Sequence, residues 1–212
     1  MRGINLKKRS LVIMVLLVLA VFLSVIGVVK SAEKSELEKI PSLMDASGKI
    51  TLTVGDFRLE KQPSMGDVNA PIKVIEFVDY KCPACKQWDK ESFPAFKQKF
   101  IDTGIVQFHV INFPFLGPDS IEAAMAAESI YQQNVNKFWA TEKFLKNFVK
   151  KNISGIDQKK FVSDMEKNTY LLDVKEDFKI AAANGIYGTP TFVVDGVIVK
   201  VEELEDKVLQ MK

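Results

Sequence analysis

The chain has 212 residues, with 29 basic and 27 acidic side chains and a formal net charge of +2. The cluster Arg2, Lys7, Lys8 and Arg9 alone exceeds that surplus, so the remainder is near neutral and carries no basic face built for nucleic acid. Apolar residues make up 47% of the chain, enough for a substantial core, and the length left after the first thirty residues fits one folding domain.

Residues 11–29 are apolar apart from Ser24 and Gly27, and with Ser10 the run reaches 20 residues, long enough to cross a bilayer as a helix. Positive charge precedes it, which keeps the N-terminus in the cytoplasm and exports the rest. A cleaved signal peptide shares the basic start and apolar middle, but its apolar part runs only about 7–15 residues before a small-x-small site. Here the run is longer and leaves through Lys30-Ser31-Ala32. The expectation is a single-pass anchor in the cell membrane over residues 1–30, with the body of the chain extracytoplasmic.

Residues 31–60 are expected to form a polar, Lys/Glu-rich stalk whose weakly alternating end, 50–59, adds a possible first strand. The folded domain is expected over 61–212. It opens with a loop at 61–70 containing Pro63, Gly66 and Asn69. Residues 72–78 read Ile-Lys-Val-Ile-Glu-Phe-Val, a strand buried on both faces. Pro83 suits the first position of a helix, which should run towards Phe100 with a disturbance near Pro94. Residues 105–113 form a second buried strand, and the helix between makes a right-handed βαβ unit with parallel strands.

From Pro118 to about Gly185 no strand is legible. Ala123 to Ala127, and then Phe138, Trp139, Phe144, Leu145 and Phe148, suggest two packed helices. A third covers 157–166, and a fourth runs from Leu171 until Asn184-Gly185 stops it. Of this block, about 118–170 reads as a helical insertion. Residues 191–194 and 197–200 flank Asp195-Gly196, a hairpin-turn signal, and 202–211 reads as a closing helix. The class is α/β, with the insertion lying between the second parallel strand and a C-terminal β-hairpin.

Only two cysteines occur, Cys82 and Cys85 in Cys82-Pro83-Ala84-Cys85. A small exported domain stapled by disulfides would need more, so the pair points to chemistry. Cys82 sits where strand gives way to helix, and amides without an intrahelical partner together with the helix dipole favour a thiolate there. A stabilised thiolate is both nucleophile and good leaving group. Each pKa unit of stabilisation is worth about 1.4 kcal/mol, which favours the dithiol and makes the disulfide oxidising. Cys85, one turn in, can close the disulfide but is too buried to be attacked first. An inert structural disulfide and a zinc half-site compete with this reading. Zinc normally takes four ligands, and the chain adds only His109 to the pair, so no metal and no cofactor beyond the disulfide is expected.

Glu76 shares a strand face with Ile72, Val74 and Val78, where burial should favour its protonated form. Six residues before Cys82, it could reach beneath the reactive helix and take the proton of Cys85; an edge glutamate bending to water is the alternative. Thr189-Pro190 directly precedes a strand. A cis bond there would leave the Thr189 backbone groups to pair with an extended substrate chain beside Cys82. His109 reads as a sheet residue, Trp88 as packing, and Asn152-Ile153-Ser154 as a chance sequon.

Glu76-Phe-Val-Asp-Tyr-Lys-Cys-Pro-Ala-Cys85, followed at long distance by Gly188-Thr-Pro-Thr-Phe192, resembles the DsbA-like thioredoxin family. It is similar in particular to the membrane-anchored Gram-positive, BdbD-like thiol–disulfide oxidoreductases. The resemblance covers about Lys61 to the C-terminus. It implies a thioredoxin-like fold and an enzyme that donates its Cys82–Cys85 disulfide to reduced, exported polypeptides. In that reading Cys82 forms the mixed disulfide, Cys85 resolves it, and a quinone-linked membrane protein of the DsbB type reoxidises the pair. Two positions depart from the family pattern. Ala84 stands where strongly oxidising relatives often carry a His, and Gln107 where they often carry a Lys paired with the buried acid. The rivals are a reductase or isomerase on the same fold and, from another class, a non-catalytic surface-anchored peptide-binding module.

Overall fold

A computed structural model describes residues 55–140 and 154–212. The expected anchor, most of the expected stalk, the side chains of Phe144, Leu145 and Phe148, and Asn152 of the sequon lie outside these residues. No helix of the described residues is long and apolar enough to cross a membrane.

Among the described residues, five strands form one sheet in the order β1-β3-β2-β4-β5. They are β1 (Ser64–Met65), β2 (Ile72–Val78), β3 (Val106–Asn112), β4 (Thr191–Val194) and β5 (Val197–Val199). β2 and β3 are parallel, in a register that sets Ile72 against Val106 and Val78 against Asn112. All of β3, and every residue of β2 except Lys73, is buried, which is why both read as continuous runs without alternation. β4 and β5 are antiparallel neighbours that extend the sheet on the other side of β2. Asp195 and Gly196 between them both have positive φ, 45° and 84°, as the expected two-residue hairpin turn requires.

The link from β2 to β3 is α1 (Pro83–Glu91), α2 (Phe93–Phe96) and a π-helical turn, Lys97–Ile101. Pro94 explains the break between α1 and α2. It has no N–H to donate, and its ring would collide with the Lys90 carbonyl if one helix ran through. The helical block comprises α3 (Pro118–Gln133), α4 (Val135–Ala140), α5 (Gln158–Glu166) and α6 (Leu171–Ala183). α3 packs on α4, α5 and α6, and α6 lies on β3. The last helix is α7 (Leu204–Met211), entered through a 3-10 turn at Val201–Glu203 and packed on β4.

Strand alternation gives the sheet two different faces. One packs Ile75, Phe77, Ile111 and Val193 against Ile180 and Ala181 of α6. The other meets α1, where the Trp88 indole lies 6.0 Å from Phe108, in a stacked arrangement, and 4.6 Å from Phe192. Trp88 therefore packs, as expected.

The sequence reading places a possible strand at 50–59, but the described part, from Gly55 to Leu59, contains none. Phe57 enters the core instead, and Leu59–Lys61 forms a 3-10 turn. The added strand is β1, inside the expected loop. Two residues carry no periodicity to read, and Ser64 pairs antiparallel with His109. Gly66 ends β1 with φ +97°, and a Cβ there would sit 2.6 Å from the Val106 carbonyl oxygen.

Candidate active site

Cys82 occupies the N-cap of α1, in extended geometry, with Pro83 at the first helical position. The chain arrives there through a turn closed by the Cys82 amide donating to the Asp79 carbonyl at 2.9 Å. The Cys85 amide, one of those a helix start leaves without an intrahelical partner, points at Cys82 Sγ at 3.4 Å. On its other side the Cys82 thiol donates to the Thr189 carbonyl at 3.2 Å. The two cysteines are unbonded. Cys82 is 6% exposed and Cys85 0%, so an incoming sulfur can meet only the first. Pro83 and Ala84 are exposed on the rim between them. Burial, reinforced by the neighbouring Glu76 carboxyl, pushes the Cys85 thiol well above its usual range.

The Thr189-Pro190 peptide bond is cis, and the Thr191 hydroxyl donates to the Gly188 carbonyl at 2.7 Å across the loop. The fold thus brings Cys82, Cys85, Thr189 and Pro190 together from positions more than a hundred residues apart in sequence.

Glu76 is 0% exposed and sits between Val110 and Phe192 in the sheet register. Phe192 carries the Trp88 indole, so Glu76 lies on the face covered by α1, beneath the cysteines. The edge-strand alternative is excluded, because β2 is the central strand. Position 107 needs a correction. Gln107 is in register with Lys73, one step out of phase with Glu76, and its side-chain oxygen accepts from Lys73 Nζ at 2.7 Å. It therefore faces away from Glu76, and its identity does not set the environment of that carboxyl.

His109 is buried in β3, in register with Ile75 and hence on the face opposite Glu76 and α1. It cannot join the two cysteines around a metal. Burial, with a smaller effect of Lys73, lowers its pKa to about 4, so it is a neutral sheet residue at ordinary pH.

Two features escaped the sequence reading. Asp79 is 0% exposed, and its carboxylate accepts from the amides of Lys81, Phe115 and Leu116. An Asp three residues ahead of a helix start is a turn signal and could have been found. The second feature is a buried acid pair, Glu128 on α3 and Asp177 on α6. The Asn112 side-chain amide donates to both at 2.8 Å, and Gln62 donates to Asp177 at 2.8 Å. Burial, with the Asp177 charge adding to it, raises Glu128 to about 8, and burial raises Asp177 to about 7. The pair lines a cleft of about 670 Å³ to which neither cysteine contributes.

A sealed thiol, a nearly buried one at a helix start and a cis-proline loop against it form a unit able to exchange disulfides. Residues 58–210 match the thioredoxin family. The chain is 37% identical over 157 residues to a probable disulfide bond formation protein D of Bacillus anthracis, covering 66% of this chain and 72% of that one. It is 30% identical over 162 residues to the disulfide bond formation protein D of Bacillus subtilis, covering 69% of this chain and 73% of that one. The crystal structure of oxidised BdbD from Bacillus subtilis is similar at a TM-score of 0.65 and 28% identity, over 72% of this chain and 94% of that one.

Proposed function

This chain belongs to the DsbA-like thioredoxin family, among the BdbD-like protein disulfide oxidoreductases, and from that premise we propose that it acts as an oxidase of exported polypeptides. A substrate thiolate attacks Cys82 Sγ of the Cys82–Cys85 disulfide. The sulfur–sulfur bond breaks, a mixed disulfide forms at Cys82, and Cys85 leaves as a thiolate that takes a proton from Glu76. A second substrate thiolate then attacks its own partner sulfur and releases Cys82. The substrate loses two electrons and two protons; one proton goes to the released Cys82 and the other to solvent, which leaves the enzyme as the dithiol with Glu76 ionised until reoxidation. Thr189 and Pro190 hold the substrate backbone beside Cys82. On reoxidation Glu76 takes back the Cys85 proton, and a quinone-linked membrane reductase of the DsbB type removes the electrons.

The observation that carries this reading is the asymmetry of the pair. The Cys85 amide meets Cys82 Sγ at 3.4 Å while Cys85 itself is sealed. A disulfide donor also needs an oxidising compartment. That requirement supports the domain plan of an anchor at 1–30, a stalk at 31–60 and an extracytoplasmic catalytic domain at 61–212. In the test, Cys85→Ser should accumulate thiol-reversible adducts with exported proteins through Cys82, and Cys82→Ser should accumulate none. Absence of adducts from both variants would favour a non-catalytic binding module.

Ala84 favours a second reading, a reductase or isomerase, because it offers the Cys82 sulfur no side-chain donor between proline and cysteine. The redox potential separates the two.

A further inference from the structure

Three amide donors converge on one buried carboxylate beside the reactive turn. Asp79, which the disulfide chemistry above does not use, is 0% exposed. Its Oδ1 accepts the Lys81 amide at 2.8 Å, and its Oδ2 accepts the successive amides of Phe115 and Leu116, each at 3.0 Å. A buried carboxylate is tolerated only where its oxygens are satisfied, and these three bonds satisfy both. They also fix the main chain of the same residue, whose carbonyl takes the Cys82 amide at 2.9 Å. Burial dominates the Cys85 thiol, but the Asp79 main chain, hydrogen-bonded to it, acts the other way and favours its thiolate. One residue thus touches the surroundings of both sulfurs.

This grip matters differently in the two redox states. With the sulfurs unbonded, Cys82 Sγ is held by two long contacts, the Cys85 amide at 3.4 Å and the Thr189 carbonyl at 3.2 Å. The turn that delivers it hangs on Asp79. In the disulfide, the sulfur–sulfur bond closes residues 82–85 and fixes the same turn covalently. A restraint that duplicates a covalent bond adds little, whereas the same restraint on an open dithiol adds more. Whatever stabilises the dithiol over the disulfide makes the disulfide the stronger oxidant. A surface pair, Lys81 Nζ to Asp119 Oδ2 at 2.7 Å, joins the same turn to the start of α3. Its charges are largely in water, where such a pair contributes little.

We propose that Asp79 is a positioning residue for the redox pair. By pinning the Cys82 turn to the Phe115–Leu116 segment, it holds the open dithiol in its favoured geometry and so raises the oxidising power of the Cys82–Cys85 disulfide. A carboxylate is needed because it accepts on both sides; an amide of the same shape turns a donor towards one of them. The inference rests on disulfide exchange by this pair and holds whichever way the net transfer runs.

The test compares wild type with Asp79→Asn in both redox forms. In a glutathione titration the protein disulfide takes two electrons and two protons from two glutathiones, giving the dithiol and glutathione disulfide. Asp79→Asn should lower that equilibrium constant about tenfold, a shift of about 30 mV in the reducing direction. Urea unfolding closes the cycle, because the unfolded chain has no such grip. The reduced variant should lose more stability than the oxidised one by the same tenfold, about 1.4 kcal/mol. A residue that only holds the fold would weaken both forms alike and leave the potential unmoved. That result would overturn the proposal, as would a shift in the oxidising direction. Leu116→Pro deletes one donor to Oδ2 outside the turn and should lower the constant about threefold, in the range of one net hydrogen bond. It carries the test if Asp79→Asn folds in neither form, and no shift in it would then count against the proposal. Asp119→Ala should leave the constant within about twofold; a shift as large as that of Asp79→Asn would assign the hold to the surface pair instead. The wild-type potential tests the oxidase reading separately, since the proposal concerns only the difference between variant and wild type.

Discussion

The two faces of the central sheet are made by alternate residues of the same strands, yet they are built differently. The face under α6 packs Ile75, Phe77, Ile111 and Val193 against Ile180 and Ala181, and the buried His109 it also carries is held neutral. The face under α1 is also closed by large side chains, Trp88 against Phe108 and Phe192, but it carries the fully buried Glu76 in the same row as Phe192. Burying a carboxyl in its charged form is costly, so its place in a core favours the protonated form. Glu76 stands beneath the helix whose first turn bears the cysteines. One face holds the fold; the other holds the fold and carries the chemistry.

Substitutions can break that division. The largest effect is expected from Cys82→Ser, which removes the only sulfur open to attack and should abolish disulfide transfer to a reduced polypeptide while the protein stays folded. Phe77→Ala, on the α6 face, should lower stability by about 3–5 kcal/mol, as large-to-small core changes do. Its remaining folded fraction should show the wild-type redox potential; denaturant unfolding and a glutathione titration check the pair. Glu76→Gln should do the reverse, slowing resolution and reoxidation by about 10²-fold, at the lower end of general acid–base contributions, with no loss of melting temperature. Unchanged turnover would remove Glu76 from the mechanism and erase the contrast between the faces.

The smallest effect concerns a third buried region, the acid pair. Glu128 and Asp177 have pKa values raised to about 8 and 7, so between pH 4 and 8 these two sites bind more protons in the folded chain than in the unfolded one. The stability they contribute should then fall as pH rises through that window, against the opposite and smaller contribution of the single lowered His109 below pH 6.5. Melting in buffer free of divalent cations checks the sign, and Glu128→Gln should flatten the dependence without altering thiol reactivity.

Most of the fold was legible because its signals are local. Residues 72–78 and Asp195-Gly196 read directly as what they become, and Pro94 announced its own break. The site was legible where it is contiguous, as in Cys82-Pro83-Ala84-Cys85, or where strand alternation exposes an oddity, as with Glu76. What escaped depends on contacts between distant segments. β1 exists through its pairing with β3, and the Glu128–Asp177 pair forms only when α3 and α6 meet around Asn112. The orientation of Gln107 required the parallel register to be known, since a family habit at that position could not say which way it faces.

If the Cys82–Cys85 disulfide is held in a form that gives itself away, its redox equilibrium with glutathione must lie far towards the dithiol. The expected potential is about −150 mV or higher, towards the DsbA end of the scale. A value near the roughly −270 mV of thioredoxin would contradict it and make the protein a reductant.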